Sequence, residues 1–324
     1  MIFSIYFIIF NCVPGTPPPG GLWIRENSYM DAFSVKEKLD VKSASLLTAL
    51  CLLWGLNAVA IKVANVGIDP IFGAGLRSVI ATACLILWMR FKRIPLFAGN
   101  LPDGIVVGLL FGVEFCLLYP SLLYTTASSA WILLYTTPFF HAIGAHFFLK
   151  GDRLNWDKGI GMLLAFAGII VLLSKDIGLP SKEQLLGDFL ALLAAVLWAA
   201  TTIYIKRRLV GRVSHYHTLF YQAIFSIPVF FIASALFRET PVHHINTLIL
   251  FSVAFQGVII AFVSYLLWFA LVHTYPASLL SGFTFMTPLF ATLAGIVFLN
   301  EQLTVKLVVA LILVSLGIYI INRK

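Results

Sequence analysis

The sequence predicts an all-α integral membrane protein whose ten transmembrane helices form two inverted five-helix repeats, and three observations predict it. Hydrophobic residues make up 60% of the 324 and charged residues only 11%, against roughly a quarter charged in ordinary soluble domains. Ten apolar runs, each able to cross a hydrocarbon core of about 30 Å at about 1.5 Å per residue, are separated by charged or turn-forming segments. The runs fall into two sets of five with matching residues at matching places.

Composition also excludes. No soluble fold hides this much apolar surface, and the 14% aromatic content with 28 Phe suits lipid-facing positions and interfacial belts. The net charge of +8 comes from basic residues that punctuate apolar runs rather than cover one surface, which argues against a nucleic-acid partner. Cys12, Cys51, Cys84 and Cys116 show no metal-ligand spacing and imply neither a metal nor a disulfide framework.

Taken in order, residues 1–45 read as an N-terminal extension, disordered or cytoplasmic. Met1 to Phe10 is apolar but too short to span, Pro14 to Gly21 breaks any helix, and no basic start marks a signal peptide. Residues 1–29 are either a disordered extension or an upstream misreading of a start at Met30. The expected spans are 46–64, 70–91, 101–124, 128–149 and 154–174 in the first repeat (46–174). The second repeat (185–321) gives 185–205, 217–237, 247–272, 276–299 and 303–321. Basic residues are retained in short cytoplasmic loops. With the chain in the cell membrane and both termini cytoplasmic, the inner segments hold Arg25, Lys36, Lys38, Lys42, Arg90, Lys92, Arg93, Lys150, Arg153, Lys158, Lys206, Arg207, Arg208, Arg212, Arg323 and Lys324. The outer segments hold only Lys175, Lys182, Arg238 and Lys306.

The halves correspond residue by residue. Trp54 precedes Lys62 by the interval that separates Trp198 from Lys206, and Asn57 and Thr201 follow their tryptophans alike. Thr137-Pro138 matches Thr287-Pro288, Phe148-Leu149 matches Phe298-Leu299, and Gly168-Ile169 matches Gly317-Ile318. Five spans per half is an odd number, so the second half must enter from the opposite side. Carried by Trp54-Gly55-Leu56-Asn57, Asp69-Pro70, Tyr135-Thr136-Thr137-Pro138, Phe285-Met286-Thr287-Pro288 and Leu299-Asn300-Glu301, the chain resembles the EamA-type branch of the drug/metabolite transporter superfamily over about residues 44–322. The resemblance implies ten-helix carriers that export or exchange amino acids and other metabolites from a central cavity without a bound cofactor. Lys150 to Arg153 departs from the pattern where the second half has Asn300-Glu301.

Trp54, Asn57, Ala58 and Ile61 share one helical face, and Trp198, Thr201, Thr202 and Ile205 repeat that arrangement, so both faces suit a cavity wall or a helix contact. Pro138 and Pro288 each remove a helical hydrogen bond and are expected to kink their helices at corresponding places. Trp131 and Tyr135 share a face with Pro138, as Ser281 and Phe285 do with Pro288, and all four are expected in the cavity. Arg77 and Glu114 lie at about equal depths in consecutive spans and are expected to pair, because an isolated charge inside a bilayer is costly. His141 is read as a packed neutral side chain or a proton shuttle, and His243 and His244 as solvated loop residues.

The expected function is a secondary carrier of a small polar metabolite such as an amino acid, working by alternating access, whose partners are the solute and the bilayer. The alternative is a flippase-like carrier of a lipid-linked or nucleotide-activated solute, which would want a wider basic cavity. An intramembrane enzyme would need a nucleophile with a base or paired carboxylates, and Glu114 is the only clear mid-span carboxylate. No phosphate-binding loop suggests direct ATP drive.

Overall fold

The computed structural model describes residues 39–125, 127–150, 152–173, 181–299 and 305–321. The extension up to residue 38 with its candidate start at Met30, Thr126, Asn300-Glu301 and the terminal Arg323-Lys324 lie outside them.

The first half contains α1 (Val41–Ala64), α2 (Pro70–Phe91), α3 (Leu101–Tyr124), α4 (Ala127–Leu134), α5 (Thr137–Phe148) and α6 (Trp156–Leu173). The second contains α7 (Lys182–Arg208), α8 (His215–Leu236), α9 (Thr247–Thr274), α10 (Ala277–Phe283), α11 (Met286–Leu299) and α12 (Val305–Ile321). Among the described residues seven helices are long and apolar enough to cross a membrane: α1, α2, α3, α7, α8, α9, and α10 taken with α11. The expected spans 128–149, 154–174 and 303–321 fall on the interrupted pair α4 and α5, on α6 and on the shorter α12.

Local chemistry sets the helix ends. Asp40 caps α1 by accepting from Ser43 N at 2.8 Å, so the helix starts ahead of the apolar run, at Val41 rather than residue 46. Pro70 opens α2, where its missing N–H costs nothing. The next two donors, Ile71 N and Phe72 N, are met at 2.9 and 2.8 Å by the two carboxylate oxygens of Glu239 from the far half of the chain. Ser181 and Gln184 form a reciprocal capping box on α7.

Pro138 and Pro288 interrupt their helices instead of kinking them. The chain leaves helical geometry at Tyr135-Thr136 and at Thr284-Phe285, and each proline lies in the first turn of the piece that follows. Pro138 cannot donate to Leu134 O, and the Thr137 hydroxyl donates there instead at 2.6 Å. With that carbonyl satisfied, the break costs little.

Advancing every label by six maps the main packings onto one another. The contact of α1 with α11 becomes that of α7 with α5; α1 with α9 becomes α7 with α3, and α2 with α9 becomes α8 with α3. The pairs α2 with α8 and α6 with α12 map onto themselves. The halves are therefore interleaved, not side by side. Small residues permit it, since lipid-embedded helices associate mainly through close packing. Gly104, Gly108 and Gly112 recur at every fourth position of α3 against Tyr221, Phe225 and Val229 of α8. Where α6 crosses α12, a Cβ on Gly161 would stand 2.6 Å from Gly317 O.

Candidate functional site: a central cavity between the halves

A cavity of about 420 Å³ lies between the two halves. It is within the range of about 300–1,000 Å³ usual for small-molecule sites. From α1 it is lined by Trp54, Asn57, Ala58 and Ile61, and from the corresponding face of α7 by Trp198, Thr201, Thr202 and Ile205. Both faces have the helical spacing that brings four side chains into one row. Arg77 enters from α2 and Gln222 from α8, while Glu114 enters from α3 and Ile260 from α9. Trp131 and Tyr135 also line it.

The aromatic wall is held by contacts with the second half. Trp54 donates its indole N–H to Ser264 Oγ at 3.0 Å and meets Trp268 edge-on with ring centroids 5.4 Å apart. Its hydrogen bond is thus already used, and what it presents to the cavity is the ring. Ser264 closes a π-helical stretch, Phe255–Ser264, whose wider turn swells α9 beside the cavity.

The polar wall is not satisfied. Arg77 is 2% exposed and Glu114 4% exposed, yet no salt bridge or hydrogen bond joins them. Arg77 Nε and Nη2, Glu114 Oε2 and Asn57 Oδ1 are buried without a partner. The expected ion pair is therefore corrected. Consecutive helices α2 and α3 hardly touch, because α8 packs against both. The guanidinium lies over the Phe115 ring instead, 4.8 Å from its centroid, a contact of modest strength.

Ser281 and Phe285 do not reach the cavity wall. Phe285 is fully buried and packs against Phe139, and Ser281 donates to Ser278 O at 3.1 Å within an α10 that is buried along its whole length. The interruption at Thr284-Phe285 explains this, since a helical face cannot be extrapolated through a non-helical joint. Pro288 does line the cavity and Pro138 does not. His141 is 2% exposed and away from the wall, whereas His243 lies at the surface and bonds Asp69 at 2.8 Å.

Several groups had no distinct signal in the sequence. Tyr265, Trp268 and Phe269 line the cavity from an unbroken apolar run. Asp152 accepts from Lys158 Nζ at 2.8 Å, from Ser278 N at 3.0 Å and from the Ser278 hydroxyl, so it ties the loop before α6 to the start of α10. The departure at Lys150 to Arg153 contains this residue. Burial pushes the Asp152 carboxyl up, but the bonds from Lys158 and Ser278 outweigh it and hold it below its ordinary value.

The sequence matches the family model described as EamA-like transporter family over residues 41–174 and 185–323. This chain belongs to the EamA-like transporter family. With its long apolar helices, that makes it a multi-pass membrane protein. It is 24% identical over 276 residues to the uncharacterized transporter YoaV of Bacillus subtilis, covering 84% of this chain and 94% of that one. An uncharacterized transporter of Archaeoglobus fulgidus is 31% identical over 291 residues, covering 88% and 100%. A probable amino-acid metabolite efflux pump of Escherichia coli is 25% identical over 286 residues, covering 86% and 94%. A solved crystal structure shares the fold with a TM-score of 0.75 at 21% identity, covering 86% of this chain and 97% of that one. The EamA-like family and its transporter-named members point to transport rather than catalysis.

Proposed function

We propose that this chain is a secondary transporter that exports or exchanges a small polar metabolite of the amino-acid type by alternating access. Ten spans in two inverted repeats, residues 46–174 and 185–321, form it, with the extension 1–45 and both termini on the cytoplasmic side of the cell membrane. Trp54, Asn57, Arg77, Glu114, Trp131, Tyr135, Trp198 and Thr201 contact the solute.

The observation that carries this reading is the cavity itself, built from corresponding faces of both halves and bordered by buried polar groups that the protein leaves unpartnered. Its environment is unequal at matched places: α4 and the joint that follows it lend Trp131 and Tyr135 to the wall, while the matching segment of α10 is sealed in packing and tied down by Asp152. Exchange of those two environments between inverted repeats is alternating access. The amino-acid class is favoured by the printed name of the Escherichia coli relative. A wide basic cavity suited to an activated or lipid-linked solute finds no support, because one Arg faces one Glu.

Counterflow in proteoliposomes against amino acids, nucleosides and thiol metabolites tests the reading. At least one solute is expected to exchange, and Trp54→Ala and Trp198→Ala each to slow it severalfold at near-normal expression. No exchange of any solute, with a reproducible chemical turnover, would replace transport by catalysis. Topology has its own test: in a background without native cysteines, Cys at Asn155 and Arg212 is expected to stay shielded from an impermeant thiol reagent in intact cells, while Cys at Ser181 and His244 labels. Reversed labelling inverts the orientation.

A further inference from the structure

Two opposite charges border the cavity without bonding each other. Each is costly where it stands, since an ionised group inside a membrane protein normally finds a partner. Arg77 keeps two buried nitrogens free and Glu114 one buried oxygen. Both groups line the same cavity, one able to carry a positive and the other a negative charge. A cation alone would satisfy Glu114 and leave Arg77 exposed to it. An anion alone would do the reverse. A solute with both charges satisfies both groups.

Among the described residues, the second half lines the cavity with no charged side chain. Arg77 is the eighth residue of α2, and the eighth residue of α8 is Gln222. Glu114 is the fourteenth residue of α3, and the fourteenth of α9 is Ile260. All four line the cavity. Charge recognition is thus confined to side chains of the first half, and the second half lines the cavity with uncharged ones, among them Trp198, Thr201, Gln222, Ile260 and Phe269.

We propose that Arg77 and Glu114 divide the recognition of a zwitterionic solute, the guanidinium binding its carboxylate and the Glu114 carboxylate binding its ammonium, with the rest of the solute against the uncharged remainder of the wall. Phe115 positions the guanidinium from beneath. The inference rests on the transport reading above.

The test uses the full chain in proteoliposomes and detergent, with three skeletons (phenyl, isobutyl and hydroxyethyl), each as the α-amino acid, the amine lacking the carboxylate and the acid lacking the ammonium. Competition for counterflow and ligand-induced thermal shift are the readouts. At least one amino acid is expected to bind about tenfold or more tightly than both single-charge forms, the scale of one lost hydrogen bond to a charged group. Arg77→Gln is expected to erase the preference over the amine while keeping that over the acid, and Glu114→Gln the opposite. Arg77→Lys, which keeps the charge, restores part of the preference. The Arg77→Gln/Glu114→Gln double variant is expected to melt no lower than the unaltered protein, because it removes two unsatisfied buried charges; a structural clamp would make it melt lower. Equal binding of single-charge forms, or equal loss of both preferences in each variant, overturns the proposal. Exchange of some other solute with no binding of any zwitterion overturns it while leaving transport standing, whereas no exchange of anything removes transport itself.

Discussion

Gly161→Leu is expected to abolish recovery of folded protein, and Gly317→Leu to do the same. At this crossing of α6 and α12 each glycine faces the other's backbone: a Cβ on Gly161 would lie 2.6 Å from Gly317 O and 3.0 Å from Ile321 N. Overpacked cores usually lose about 1–3 kcal/mol because side chains can turn aside. Here the obstacles are peptide groups, so the helices must separate along their length. The gain of about 1 kcal/mol that replacing a helical Gly brings in an exposed site does not offset that loss. Gly159, two positions earlier, has nothing within 4 Å of its Cβ position. Gly159→Leu is the control and is expected to keep the normal size-exclusion profile and melting temperature. Equal behaviour of the two variants would mean that the crossing is looser than these distances.

Asp152→Ala is expected to destabilise by about 3–5 kcal/mol, the usual loss when one partner of a buried pair is removed. The Asp152 side chain is 5% exposed and that of Lys158 14%, so the lysine would lose its counter-charge and keep only the neutral acceptors Arg153 O and Ser278 Oγ. Ser278 N, at the start of α10, would lose its acceptor as well. Asp152→Asn should cost less, since an amide oxygen still accepts from Ser278. The pH dependence has a definite sign. A carboxyl held below its ordinary value in the folded state contributes stability that is present above the unfolded value of about 3.9 and lost as pH falls through the lower folded value. Melting temperature should therefore be insensitive to this group from about pH 5 to 8 and fall only in stronger acid. The Asp152→Ala variant should lack that acid-dependent loss. A variant that melts like the unaltered protein would show that the loop and α10 are not held together by this carboxylate.

The wall of the cavity was readable where it is made by uninterrupted helices. Trp54 with Asn57 and Ile61, and Trp198 with Thr201 and Ile205, line it because helical spacing alone fixes which side chains share a face. The same reasoning failed for Ser281 and Phe285 across the break at Thr284-Phe285, where the backbone turns out of register. It failed again for the Arg77 and Glu114 bond. Equal depth in consecutive helices says nothing of azimuth, and α8 packs against both helices so that they scarcely meet.

By itself the sequence determined membrane residence, the apolar runs and the correspondence between halves, because these follow from composition and from spacing along one chain. Only the tertiary structure decided which half packs on which, that Gly161 and Gly317 meet, that Asp152 holds α10, and that Arg77 and Glu114 face a cavity without bonding each other. Those are relations between residues far apart in the chain. They depend on how whole helices rotate and approach, which small residues and backbone breaks set and local periodicity does not encode.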